Sequence, residues 1–130
     1  MRRVNVCLID DDPIQIFLMR KYLEKTNVTN QIVDFSNGKI AFDFFSNCLE
    51  TEINLIFLDI NMPVWDGWEF LKEFSKLSLY QKCKIFILTS SQSPFDKEQA
   101  SKYKLDQCYI SKPISYETIH NILFSHLDNY

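Results

Sequence analysis

Glycine is scarce in this sequence, which contains two glycines, Gly38 and Gly67, among 130 residues. Ordinary proteins contain about 7% glycine. A nucleotide-binding loop needs roughly two or three closely spaced glycines, because its backbone must approach the phosphates. The two glycines of this chain lie far apart in the sequence. Their scarcity excludes a glycine-rich phosphate loop, so any phosphate chemistry must use other groups.

An excess of positive charge is also absent, since 14 Lys and Arg stand against 17 Asp and Glu and give a net charge of -3. A domain without a positive field does not attract DNA, RNA or an anionic membrane surface. No apolar run approaches the ~20 residues of a membrane span. The apolar segment after Arg3 reaches Asp10 too early to form a signal-peptide core. We therefore expect a cytoplasmic protein with no direct contact to nucleic acid or membrane.

The cysteines form neither a metal-ligand motif nor a dense disulfide framework, because Cys7, Cys48, Cys83 and Cys108 are widely spaced. They are expected to be reduced and to act as small core residues. The length and the 46% of hydrophobic residues suit one domain with one core. We expect a single domain over residues 1–130.

Short apolar runs alternate with longer segments of helical period along the chain, a pattern typical of βα units around a parallel sheet. The predicted strands are 4–9, 31–35, 54–58, 84–88 and 108–110, and the predicted helices are 13–25, 38–48, 66–77, 94–103 and 115–128. Residues 55–58 and 85–88 are continuously apolar, as expected of central strands covered on both faces. The pattern predicts a doubly wound five-stranded α/β domain with right-handed crossovers and helices on both faces.

Polar residues follow four of the predicted strands. Asp10 and Asp11 end the first strand, Asp59 the third and Thr89 the fourth, and Lys112 follows the fifth. The carboxyl ends of parallel strands share one edge of the sheet, where ligands bind in such folds. Residues that are distant in the sequence are thus expected to meet in one cleft.

Three carboxylates, those of Asp10, Asp11 and Asp59, cannot all stay ionised at close range without a compensating cation. Magnesium prefers oxygen ligands and is usually held by one or two carboxylates together with phosphate oxygens. Lys112 and Thr89 would add the positive charge and the hydroxyl donor that phosphoryl transfer uses. The nucleophile expected in this setting is an aspartate, whose attack on phosphorus gives an acyl phosphate.

The residues around these positions form a set of ordered motifs. They are Asp10-Asp11, Asp59-Ile60-Asn61-Met62-Pro63-Val64-Trp65-Asp66-Gly67, Thr89-Ser90 and Tyr109-Ile110-Ser111-Lys112-Pro113. With these motifs, essentially the whole chain resembles the receiver domain of two-component response regulators. The resemblance implies a flavodoxin-like sheet of order 2-1-3-4-5. We expect a stand-alone receiver, since the chain ends at Tyr130 without an output domain.

The resemblance implies a phosphoacceptor and a Mg²⁺ site. Asp59 would accept a phosphoryl group from a phosphohistidine on a histidine kinase or a histidine phosphotransfer protein. Asp11 would ligate Mg²⁺ directly, Asp10 through a water molecule, and Asn61 through its backbone carbonyl. Asp12 lies just outside this set and is assigned to capping of the first helix, whose first residue is proline.

The resemblance also implies a switch. Lys112 would contact the phosphoryl oxygens, and Thr89 would move toward them after phosphorylation. Tyr109 holds the position of the family's aromatic switch, whose ring is expected to turn inward as Thr89 moves; the alternative is an ordinary half-buried aromatic residue of a strand. Asn61 and Ser91 lie two places after Asp59 and Thr89, where receivers tune their own dephosphorylation.

The sequence departs from many receivers at two places. Leu105-Asp106 occupies a stretch where a Gly-Ala pair is common, and Ser90 stands where alanine is common. The first departure predicts a different shape for the loop before the last strand. Neither change removes a group that the chemistry uses.

The first helix has apolar residues outside its expected core-facing stripe. That stripe is Gln15, Leu18, Met19 and Tyr22, which leaves Ile16 and Phe17 beside Arg20 on the opposite side. Exposed apolar residues often mark a partner surface. Receivers commonly dock the four-helix phosphotransfer domain there, so Ile16 and Phe17 are predicted to contact the donor; the alternative is that their exposure is incidental.

We expect the first of three functions and keep the other two as alternatives. The first is a phosphoacceptor switch that is not a turnover enzyme. It would signal to an unidentified protein through helix 4, strand 5 and helix 5, or would pass its phosphoryl group onward. The second is a scaffold that ignores phosphorylation. The third is a Mg²⁺-dependent phosphohydrolase, but such enzymes usually carry a second aspartate two residues after the nucleophile, where this chain has Asn61.

Overall fold

The computed structural model describes residues 3–47, 52–90 and 93–128. The strands are β1 (Val4–Ile9), β2 (Thr29–Phe35), β3 (Leu55–Asp59), β4 (Lys84–Thr89) and β5 (Tyr109–Ser111). The α-helices are α1 (Pro13–Lys25), α2 (Gly38–Asn47), α3 (Gly67–Phe74), α4 (Pro94–Lys102) and α5 (Tyr116–Asp128), and short 3₁₀ helices span Ser78–Lys82 and Asp106–Cys108. Within those three ranges, no helix combines the length and the apolar character needed to cross a membrane.

The five strands form one parallel sheet in the order β2-β1-β3-β4-β5, as predicted. Every residue of β1 and β3 is buried, and β4 is buried apart from its first residue. These three strands lie at the centre of the sheet, covered on both faces, which explains their continuous apolar runs. The strands at the two edges, β2 and β5, are half-buried or exposed along most of their length.

Most element bounds lie close to the predicted ones. β1 and α1 match the prediction, the other four strands differ from theirs by one or two residues at an end, α4 ends one residue early, and α5 begins one residue late. The Ser115 hydroxyl accepts a hydrogen bond from the Thr118 N–H at 3.1 Å, so Ser115 caps α5. The predicted end of the second helix at Cys48 lies outside the described residues.

α3 is shorter than predicted. It ends at Phe74 rather than at Leu77, and the chain continues in tight turns. In these turns the Leu77 N–H donates to the Phe74 carbonyl and the Tyr80 N–H to the Leu77 carbonyl, each bond spanning three residues. A three-residue spacing of apolar side chains fits a 3₁₀ turn as well as an α-helix, so the pattern could not locate the end of α3.

Both glycines allow close approaches between backbones. The Gly67 N–H donates to the Ile60 carbonyl at 3.2 Å, and a Cβ added at Gly67 would lie 2.7 Å from Ile60 Cα and 2.9 Å from the Asp59 carbonyl oxygen. A Cβ at Gly38 would lie 2.7 Å from the Trp65 carbonyl oxygen. These contacts clamp the loop between β3 and α3, and with it the end of β3, against the starts of α2 and α3.

α1 faces the core with part of the predicted stripe. Met19 and Leu23 are buried, and Ile16 and Tyr22 are half-buried and pack against the core. The core-facing stripe is therefore 16, 19, 22 and 23, a spacing of three and four residues, which confirms the predicted placement of Met19 and Tyr22. The prediction that Leu18 faces the sheet is wrong, because this side chain is 39% exposed. The placement of Ile16 on a free face is also wrong, whereas Phe17 is largely exposed at 58%.

Candidate functional site

The carboxyl ends of the strands bring the predicted residues to one edge of the sheet. Asp10 directly follows β1, Asp59 and Thr89 are the last residues of β3 and β4, and Lys112 directly follows β5. The Lys112 N–H donates to the Thr89 carbonyl at 2.7 Å, which continues the pairing of β5 with β4 into the loop. The predicted convergence is confirmed for Asp10, Asp59 and Lys112 by contacts of their side chains, and for Thr89 by its backbone hydrogen bond with Lys112.

Asp10, Asp11 and Asp59 form an acid cluster whose nearest carboxylate oxygens all lie within 4.8 Å of one another. Asp10 and Asp59 are buried, and Asp11 is exposed. Asp10 Oδ1 accepts the Asp12 N–H at 2.9 Å, and Asp59 Oδ1 accepts the Asn61 N–H at 3.1 Å. Each bond fixes one oxygen of a buried carboxylate and orients the other toward the centre of the cluster.

Lys112 supplies positive charge to this acid cluster. Its Nζ lies 2.9 Å from Asp10 Oδ2 and 3.4 Å from Asp59 Oδ2, and its side chain is 17% exposed. Burial by itself lowers the pKa of the Lys112 ammonium, but the contacts with Asp10 and Asp59 outweigh burial and raise it. The lysine therefore stays protonated between two buried carboxylates.

Lys112 does not fully offset the negative charge around Asp59. The pKa of Asp59 is raised to about 6, mainly by burial and also by the charge of Asp10, although the Asn61 N–H and Lys112 act in the opposite direction. One ammonium group faces three carboxylates in the acid cluster. A set of three hard oxygen donors with excess negative charge fits Mg²⁺, which prefers such ligands.

Asp12 caps α1 and is not part of the acid cluster. Its Oδ1 accepts the Ile14 N–H at 2.9 Å, directly before the proline that begins the helix. The carboxylate that satisfies a free N–H of the first turn also stabilises the positive end of the helix dipole. The assignment of Asp12 to capping is confirmed.

Thr89 and Tyr109 lie together on the β4–β5 side of the site. Thr89 is buried, while the Tyr109 ring is half-buried with a buried hydroxyl oxygen. The two side chains lie on the same face of the paired strands β4 and β5. Burial and the charge of Asp96 raise the pKa of Tyr109, and the Thr89 hydroxyl lowers it. Ser91, predicted to tune dephosphorylation, lies outside the described residues.

A contact between α3 and α4 was not predicted from the sequence. The Trp68 Nε1–H donates to Asp96 Oδ1 at 2.8 Å. In the sequence, Asp96 is an ordinary acidic residue of a first helical turn, and Trp68 is an ordinary core aromatic. No local signal could have joined them, because the hydrogen bond depends on how two helices pack.

A family model described as "Response regulator receiver domain" matches residues 6–124 of the chain. Among curated proteins, the peroxide stress-activated histidine kinase mak3 of Schizosaccharomyces pombe is 28% identical over 99% of this chain and 6% of its own length. The chemotaxis protein CheV1 of Helicobacter pylori is 31% identical over 82% of this chain and 33% of its own length. The chain thus spans a third or less of these two relatives.

Solved structures show the same architecture. A two-component response regulator from Cytophaga hutchinsonii superposes with a TM-score of 0.82 at 27% identity, over 98% of this chain and 99% of the other. The chemotaxis protein CheY4 of Vibrio cholerae superposes with a TM-score of 0.79 at 24% identity, over 95% of this chain and 98% of the other. The second likeness concerns the fold alone.

Proposed function

This chain belongs to the family of response regulator receiver domains, and from that premise we propose that Asp59 is the phosphoacceptor of a two-component signalling pathway. The observation that carries the proposal is the environment of Asp59. Its carboxylate is buried at the end of β3, within the acid cluster and 3.4 Å from the Lys112 ammonium. A buried aspartate placed beside a lysine suits nucleophilic attack on a charged phosphoryl group.

The proposed reaction is phosphoryl transfer from a phosphohistidine of a partner protein. An Asp59 carboxylate oxygen attacks phosphorus, the new O–P bond forms as the P–N bond breaks, and the electron pair of that bond stays on the imidazole nitrogen of the donor. Lys112, already in contact with Asp59, offsets the charge of the phosphoryl oxygens as they approach. Thr89 would donate its hydroxyl to the same oxygens after transfer.

The proposal includes Mg²⁺ as cofactor, held by Asp10, Asp11, Asp59 and the backbone carbonyl of Asn61. By the family resemblance, Asp11 would be the direct ligand and Asp10 would act through water. The excess negative charge of the acid cluster supports this assignment. When bound, the ion would offset charge on the phosphoryl oxygens, which is the usual part of a divalent ion in phosphoryl transfer.

We propose a switch rather than a turnover enzyme. Asn61 occupies the place where Mg²⁺-dependent phosphohydrolases usually carry a second aspartate. Movement of Thr89 and Tyr109 after phosphorylation would change the conformation of α4, β5 and α5. Another protein would bind this changed surface, or the phosphoryl group would be transferred onward. Asn61 and Ser91 would set the lifetime of the phosphoryl group. A cytoplasmic location is part of the proposal and is supported by free thiols at Cys7, Cys83 and Cys108.

The donor would be a histidine kinase or a histidine phosphotransfer protein that docks on the α1 apolar surface, defined here as Ile14, Phe17 and Leu18. These side chains are 70%, 58% and 39% exposed. Phe17 keeps the role predicted from the sequence, whereas Ile16 packs inward and is replaced by its neighbours. Several exposed apolar side chains on one helix suit a helical partner that presents an apolar face.

The proposal is tested with a small donor and intact-mass measurement. Wild-type protein is incubated with acetyl phosphate and MgCl₂, and its mass is followed over time beside that of Asp59→Asn. Asp34→Asn is the matched control, because it changes an exposed aspartate of β2 outside the acid cluster. We expect a transient adduct of one phosphoryl group in wild type and in Asp34→Asn, its loss in Asp59→Asn, and its suppression by EDTA.

Other outcomes separate the alternatives. No adduct in wild type would support a receiver-like scaffold that works without phosphorylation. Continuous release of phosphate from several phosphate esters would support a phosphohydrolase. An adduct that persists in Asp59→Asn would overturn the assignment of Asp59.

A further inference from the structure

Trp68 connects α3 to both ends of α4. Its indole N–H donates to Asp96 Oδ1 at 2.8 Å, in the first turn of α4. Its ring stacks on Tyr103, the residue that caps the other end of α4, with ring centroids 6.4 Å apart and planes 7° apart. Trp68 is only 8% exposed, so its side of both contacts is largely shielded from water, which strengthens the hydrogen bond to the carboxylate.

α4 has little else to hold it in place. Of the side chains in Pro94–Lys102, all of which the structure describes, only that of Ala100 is buried. Phe95 is 59% exposed, so it adds little packing. A helix without a broad apolar face depends on a few contacts for its position. The contacts of Trp68 with Asp96 and Tyr103 are therefore a major part of what holds α4 against the rest of the domain.

The backbone of Trp68 is fixed relative to the phosphoacceptor strand. Gly67, the preceding residue, approaches so closely that an added Cβ would meet the Asp59 carbonyl oxygen at 2.9 Å. A capping box holds the first turn of α3, with the Glu69 N–H donating to Asp66 Oδ1 at 2.9 Å and the Asp66 N–H donating to Glu69 Oε1 at 3.0 Å. Trp68 thus projects from a rigid base beside Asp59.

α4 also adjoins the switch residue. Tyr109 lines one surface pocket together with Lys97, Ala100 and Ser101 of α4, and its hydroxyl oxygen is buried. Tyr109 and Thr89 lie on the same face of the paired strands β5 and β4. If Thr89 leaves Tyr109 to approach Asp59, the surroundings of Tyr109 change, and the adjoining α4 must adjust.

We propose that Trp68 and Asp96 are positioning residues that hold α4 in the conformation in which Thr89 lies beside Tyr109, and that their hydrogen bond loosens when Thr89 moves toward a phosphoryl group on Asp59. This inference rests on the proposed function of Asp59. An interaction made in only one of two conformations shifts the equilibrium toward that conformation. Weakening the pair should therefore favour the phosphoryl-bound conformation.

The test uses beryllium trifluoride with MgCl₂ as a phosphoryl mimic and measures its affinity by fluorine NMR. We expect Trp68→Phe and Asp96→Ala each to raise the affinity about fivefold, and the double variant to show no further gain, because either change removes the same hydrogen bond. Asp96→Asn keeps an oxygen acceptor and is expected to restore most of the wild-type affinity. Asp34→Ala removes an exposed ion pair with Arg20 and is the control for general destabilisation.

A second readout follows the pair directly. The chain has two tryptophans, so in a Trp65→Phe background the emission comes from Trp68 alone. We expect the mimic to shift the emission of Trp68, and to shift it much less when Asp96 is alanine. Unchanged emission, or variants with unchanged or weaker affinity for the mimic, would overturn the role of the pair. A wild-type protein that binds no mimic would instead overturn the proposed function, and this inference with it.

Discussion

The charge balance around Asp59 depends on a single lysine. Lys112 Nζ contacts both buried carboxylates of the acid cluster, at 2.9 Å for Asp10 and 3.4 Å for Asp59. The same two carboxylates belong to the acid cluster that would hold a divalent ion. Lysine and metal ion therefore compete electrostatically for Asp10 and Asp59, while both favour the binding of a phosphoryl group.

Replacing Lys112 by alanine should separate these two effects. We expect Lys112→Ala to bind Mg²⁺ severalfold more tightly, since a positive charge leaves the immediate surroundings of the acid cluster. We also expect phosphorylation by acetyl phosphate to be ~10-fold slower or more, since a group that stabilises the developing charge is lost. Calorimetric titration with MgCl₂ gives the affinity, and intact mass against time gives the rate.

Lys84→Ala is the matched control, because Lys84 begins β4 at the opposite end of the sheet from Thr89. It should leave the Mg²⁺ affinity and the phosphorylation rate unchanged. If Lys112→Ala binds Mg²⁺ more weakly and is phosphorylated at the wild-type rate, Lys112 and Mg²⁺ do not compete for the acid cluster.

At the scale of the elements, the features that could be predicted from the sequence are those set by neighbouring residues. Asp12 and Pro13 marked the start of α1 correctly, because capping and proline geometry act within one turn. The site was predictable for a related reason. The polar residues that end the buried strands must meet, since parallel strands share one carboxyl edge.

Features that depend on packing were not predictable. On α1, Met19 and Tyr22 face the core as predicted, but Ile16 joins them there in place of Leu18, because several apolar residues competed for that face. The hydrogen bond between Trp68 and Asp96 joins two helices and leaves no local pattern. The end of α3 was missed because α- and 3₁₀-helical turns share a three-residue spacing of apolar side chains.

Asp11 and Asp12 are neighbours with different roles, and a pair of variants tests the distinction. We expect Asp12→Ala to lower the free energy of unfolding by ~1 kcal/mol, since the Ile14 N–H loses its cap. It should reduce Mg²⁺ affinity much less than Asp11→Ala does. Asp11→Ala removes an exposed carboxylate of the acid cluster, so it should weaken Mg²⁺ binding strongly with little change in stability.

Urea unfolding without Mg²⁺ measures the stability of both variants, and calorimetry measures the metal affinity. Loss of metal binding in Asp12→Ala, together with unchanged stability, would assign Asp12 to the metal site instead of to the helix cap.

At the scale of the whole molecule, the topology joins the phosphoacceptor site to the α1 apolar surface. α1 begins at Pro13, directly after the aspartates that follow β1, and Ile14, Phe17 and Leu18 all lie in its first two turns. A partner bound to these turns is therefore held next to Asp59. The net charge of -3 provides no strong field to attract a donor from a distance. Recognition would depend on contact between apolar surfaces.

The double variant Phe17→Ser with Leu18→Ser tests this surface. We expect transfer from a phosphorylated histidine phosphotransfer domain to slow by ~10-fold or more, because truncating apolar anchors at a contact surface typically costs one or more kcal/mol of binding. Labelling by acetyl phosphate should keep its wild-type rate, because neither side chain belongs to the acid cluster. Both side chains are exposed at 58% and 39%, so the fold should tolerate the change.

Two further variants make the result specific. Ile40→Ser changes a side chain on α2 that is 47% exposed, and it should leave both rates unaltered. Ile16→Ser changes the neighbour that packs on the core, so it should lower the thermal midpoint of unfolding, whereas the double variant should not. If the double variant slows both donors equally, or if Ile40→Ser slows transfer from the protein donor to the same extent, α1 is not the docking surface. A selective effect of the double variant would identify the first two turns of α1 as the part of the molecule that chooses its phosphoryl donor.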